Sequence, residues 1–171
     1  MPSYAETLGS WHDFFVTAGA ASATLAGLLF VGISLHVRIV ATHVDVRSLA
    51  RVTLSAFFTV LVISLVMLYP TGEPVITGLA LLAATFASLV LIVPAIFGGA
   101  MTDRRRALPR RVILSRFGAV LVTYLGLAAA AVLFERSDSG NAFGLLFAVV
   151  VVLLVVAVRN SWDLLVTLAA K

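Results

Sequence analysis

The chain has no cysteine and a single lysine, Lys171, and it places no Asp, Glu, Lys or Arg in the middle of any of its long apolar runs. Without cysteine there is no disulfide, no thiol nucleophile and no thiolate metal site. Charges at membrane depth mark proton relays, voltage sensors and ion-coupled transport, so their absence argues against all three. No glycine-rich phosphate loop, HExxH or GxSxG pattern occurs. The three histidines, His12, His36 and His43, fall short of the three or four clustered ligands that zinc requires. No catalytic residue, metal site or cofactor is therefore expected, and the chain is read as a non-enzyme.

What is present is apolar surface. Hydrophobic residues make up 61% of the 171 and charged residues 12%, against about 25% charged in soluble domains. Mean hydropathy is +1.12. A bilayer core about 30 Å thick needs roughly 17–25 apolar residues of helix. Five runs qualify: residues 14–35, 52–69, 75–98, 112–134 and 142–158. None alternates polar with apolar as a lipid-facing barrel strand would. The expectation is an all-α bundle of five transmembrane helices in one domain, 1–171, with an amphipathic C-terminal helix over 159–171.

The basic residues orient it. Eleven of the twelve fall in alternate gaps: Arg38, Arg47 and Arg51; Arg104, Arg105, Arg106, Arg110, Arg111 and Arg116; then Arg159 and Lys171. The other side has Arg136 alone, with Glu6, Asp13, Glu73, Glu135 and Asp138. The positive-inside rule then puts the N-terminus outside and the C-terminus in the cytoplasm. Met1 to Asp13 lacks the basic region of a signal peptide, so the first run is expected to be retained. A basic set that is almost all arginine points to a GC-rich bacterial genome, and hence to a bacterial plasma membrane.

The first run is unusually rich in small residues. Gly19, Ala23 and Gly27 recur at four-residue spacing and Gly32 extends the stripe, with the hydroxyls of Thr17, Thr24 and Ser34 nearby. In lipid, helices associate by close approach at small residues. The stripe is read either as packing within the chain's own bundle or as a face on the axis of a homo-oligomer, bordering a pore. Hydroxyls elsewhere (Thr53, Ser55, Thr59, Ser64, Thr85, Ser88, Thr123) are expected to bond carbonyls of their own helices. Tyr124 reaches too far for that and needs a partner on another helix or a wet cavity. Pro94 removes a helical hydrogen bond and is expected to kink the third run. The arginines from Arg104 to Arg116 suit anionic lipid headgroups. That loop has no aromatic on which a base could stack, so nucleic acid is not an expected partner.

The segment WHDFFVTAGAASATLAGLLFVGISL, Trp11 to Leu35, with the tail RNSWDLL, Arg159 to Leu165, resembles a group of small actinobacterial polytopic membrane proteins. That resemblance implies a multi-pass fold and no particular activity. Ser22-Ala23, Leu25, Gly27 and Val31 are also similar to the pore helix of Orai-type calcium channels, with Leu35 standing where those channels have a glutamate. The expected function is a homo-oligomeric channel or passive pore with the first span near the symmetry axis. The alternative is a non-conducting scaffold or regulatory subunit that holds another membrane protein.

Overall fold

The computed structural model describes residues 3–70, 73–101, 110–136 and 138–169, with side chains outside 44–45, 91–101, 110–117, 119–121 and 167–169. The described residues are helical apart from short turns and caps. The helices are α1 (Tyr4–Leu35), α2 (Val37–Thr42), α3 (Val44–Leu68), α4 (Pro74–Met101), α5 (Arg110–Glu135) and α6 (Ser139–Ala169). The helical stretches Tyr4–Leu35, Val46–Leu68 and Ser139–Val166 are long and apolar enough to cross a membrane.

Helix α1 starts ten residues before its apolar run. Ser3 caps it: its hydroxyl accepts from the Glu6 N–H at 3.3 Å, while the Glu6 carboxylate accepts from the Ser3 N–H at 2.8 Å. This reciprocal box satisfies two of the donors that a helix start leaves open. At 32 residues the helix is about 48 Å long, well beyond the hydrocarbon thickness. It ends at His36, whose N–H bonds the Ile33 carbonyl and whose Nδ1 lies 3.2 Å from the Gly32 carbonyl. Pro70 follows the end of α3, and Pro74 opens α4, where a missing N–H costs nothing. The expected C-terminal amphipathic helix is not a separate element, because α6 runs unbroken from the apolar run through Arg159 to Ala169. Helix α4 continues through Pro94; the kink expected there falls among the side chains outside the description.

Helix α3 is the hub. It packs against α1, α4 and α6, while α4 pairs with α5 and α5 with α6. Half of the apolar window of α3 is buried, against 22% for α1, which therefore sits at the edge of the bundle. The inward seam of α1 is Phe15, Ala18, Ser22 and Leu29, a three-and-four spacing that keeps one face on α3. At the other crossings glycine again permits close approach. A Cβ on Gly78 would meet the Ala131 carbonyl at 2.9 Å, and one on Gly126 would meet Val149 at 2.8 Å.

An aromatic cluster ties the start of α1 to the α5–α6 turn. Trp11 stacks on Phe143 with centroids 6.0 Å apart, and Phe134 meets Phe143 edge-on at 5.2 Å. Tyr4 adds a hydrogen bond of 2.7 Å to Thr77 on α4. Trp11 thus works as a packing residue.

Candidate functional site

The small-residue stripe of α1 divides three ways. Gly19 faces α3 so closely that an added Cβ would sit 2.9 Å from Ser64 Cβ. Gly32 faces α6, where Leu165 would be 3.0 Å from such a Cβ. Thr17, Ala23, Thr24, Gly27 and Ser34 are exposed, and a Cβ on Gly27 would have nothing within 4 Å. The first two glycines therefore hold the chain's own bundle together, and the rest form an outward face with Ala20 between them.

These small residues share the surface of α1 with the exposed Val16, Leu28, Phe30, Val31 and Leu35; exposed positions on α3, α5 and α6 include Phe58, Leu65, Val122, Leu125, Val152 and Val155. Two of the outward hydroxyls of α1 have spent their protons within the helix: Thr24 donates to the Ala20 carbonyl at 2.9 Å and Ser34 to the Val31 carbonyl at 2.8 Å. What they present outward is oxygen lone pairs.

Between α1 and α3, beside this face, runs an open groove of about 530 Å³. Its walls include Ala23, Gly27, Phe30, Leu54, Phe58 and Leu61. At its base the buried Ser22 hydroxyl donates to the Phe57 carbonyl at 2.6 Å, an interhelical bond between α1 and α3. A second groove, of about 320 Å³, lies between α3 and α4 near Tyr69 and is equally apolar.

Among the described residues the buried polar side chains are hydroxyls and the Asn160 amide. Thr53, Thr59 and Thr85 each donate to the carbonyl four residues back, at 2.8, 2.8 and 2.6 Å. Tyr124 meets its requirement for a cross-helix partner: its hydroxyl lies 2.9 Å from Thr59 Oγ1. The single proton of Thr59 has two acceptors in reach, the Ser55 carbonyl and Ser88 Oγ at 3.2 Å, so Tyr124 supplies the donor. This triad joins α3, α4 and α5. Ser64 is the exception: its hydroxyl is buried under Gly19 with no hydrogen-bond partner.

Of the arginine cluster, Arg104, Arg105 and Arg106 lie outside the described residues. Arg110, Arg111 and Arg116 belong to α5, with side chains outside the description. Arg38, Arg47, Arg51 and Arg159 are exposed. The α6 tail turns its apolar side outward: Trp162 is 70% exposed, while Asn160 and Leu164 are buried. Among the described residues no group of three or more His, Asp or Glu is placed to hold a metal.

The sequence pattern pointed to the stripe but missed Gly78 and Gly126, the groove, and the orphaned Ser64. A glycine inside an apolar run was the available signal for the first two. No family model, curated protein or solved structure matches this chain.

Proposed function

We propose that the chain is a five-span protein of a bacterial plasma membrane, N-terminus outside and C-terminus inside, that assembles through the outward face of α1 into a homo-oligomeric passive pore. It catalyses no reaction in this reading. Helices α4 and α5, at 28 and 26 residues, are about 42 and 39 Å long, enough to span. The alternation of arginine between gaps supports the orientation.

The observation that carries the assembly is the position and composition of α1. An edge helix that faces lipid gains nothing from alanine, glycine and threonine, whereas a helix that meets another backbone closely does. The two described grooves are apolar, and in this reading the water path lies between copies, where Thr17, Thr24 and Ser34 repeat around an axis. The second reading, a non-conducting scaffold, draws on the exposed Trp162, Leu165 and Val166 of α6, an apolar side that a partner membrane protein could cover.

Two measurements test this together. The oligomeric state in lipid nanodiscs should be a symmetric ring, and the same preparation in liposomes should pass small solutes. A ring without flux favours the scaffold, and a monomer removes the pore. For topology, a reporter active only outside the cytoplasm should report at 137–140 and stay silent at 107 and after 171. The opposite pattern overturns five spans with an outside N-terminus.

A further inference from the structure

We infer that the groove between α1 and α3 is a binding site for one anionic phospholipid, with an acyl chain along Phe30, Leu54, Phe58 and Leu61 and the headgroup phosphate at Arg51 and Arg47. This rests on α1 and α3 lying in a bilayer and not on the assembly proposed above.

The first observation is size and lining. At about 530 Å³ the groove falls within the range of small-molecule sites, about 300–1,000 Å³. Its flanks are the exposed rings of Phe30 and Phe58, 64% and 56% accessible. The second is register. Arg47, Arg51, Leu54, Phe58, Leu61 and Leu65 follow one another at three- and four-residue steps, so they share one face of α3. From Arg51 to Leu61 is ten residues, about 15 Å along the helix. That is half of the roughly 30 Å hydrocarbon core, the depth of one leaflet. The face thus passes from cation to apolar wall over the length of a single lipid tail.

The third observation is charge. Among the described residues, Arg38, Arg47, Arg51 and Arg159 are exposed at this end of the bundle. A headgroup phosphate supplies an anion for these exposed cations. The groove between α3 and α4 makes the contrast: its walls are equally apolar, but it lies at the other end of α3, near Tyr69 and Glu73, with no arginine in that turn.

The test uses the full chain in nanodiscs of equal parts dioleoylphosphatidylglycerol and dioleoylphosphatidylcholine, released and weighed with its retained lipids by native mass spectrometry. The wild type should retain phosphatidylglycerol preferentially. Arg47→Gln with Arg51→Gln should lower that retention roughly five-fold for each arginine lost, leaving phosphatidylcholine unchanged. Leu61→Trp, which fills the groove, should lower both lipids. The triple change Arg104→Gln, Arg105→Gln and Arg106→Gln should leave this lipid in place. Wild-type phosphatidylglycerol retention by the double variant would overturn the site, as would its loss in the triple variant alone. Failure of the chain to enter the nanodisc would overturn the membrane reading and this inference with it.

Discussion

Ser64 and Gly19 show how tightly α1 and α3 meet. Burying a hydroxyl without a partner costs about 1–3 kcal/mol, and Ser64 is retained where only a small side chain fits beneath α1. Ser64→Ala keeps that fit and removes the orphan. It should raise stability by about 1 kcal/mol in reversible denaturant unfolding; an unchanged or lowered midpoint would mean that Ser64 finds a partner in the membrane. Tyr124→Phe acts in the opposite sense. It withdraws the donor from Thr59 and should cost about 0.6–1.7 kcal/mol, the range of interhelical hydrogen bonds in membranes, by the same measurement. The need of Tyr124 for a distant partner was legible in the sequence, because a phenol outreaches its own backbone. The isolation of Ser64 was not, because serine in a helix ordinarily bonds back along the chain.

At the scale of the element, the five apolar runs all lie within long helices, since length and hydropathy are properties of a segment by itself. Rotation is different. A membrane helix is apolar on every side, so its sequence does not say which face meets a neighbour. Gly19, Gly32 and Gly27 read as one stripe and point to α3, α6 and outward. The early start of α1 was written in Ser3 and Glu6, at the spacing of a capping box, but the mixed composition of residues 4–13 masked it. That box makes the first turn sensitive to acid. Hydrogen bonds from the Ser3 backbone N–H, and then from its hydroxyl, lower the Glu6 pKa below its ordinary 4.5. A lowered carboxylate pKa stabilises the fold above the ordinary value, and this contribution is lost as pH falls through the lowered one. Hydrogen exchange of residues 4–8, corrected for the intrinsic pH dependence, should therefore speed up at acid pH in the wild type. Glu6→Ala should show fast exchange already at neutral pH and no further acid effect.

For the whole molecule, the central claim is that the outward face of α1 meets a sister copy. The absence of native cysteine permits a clean measurement. Thr24→Cys, alone and combined with Gly27→Leu, is oxidised in native membranes and the covalent dimer is quantified. Thr24 and Gly27 are both exposed, and Gly27 has open space around it within the protomer, so neither change disturbs the bundle. Leucine at position 27 would wedge apart two backbones that approach there, at about 1–3 kcal/mol in each subunit. The account predicts an efficient Thr24→Cys cross-link that Gly27→Leu abolishes while the amount of inserted protein stays the same. A cross-link that persists undiminished with Gly27→Leu, or that never forms, would contradict it.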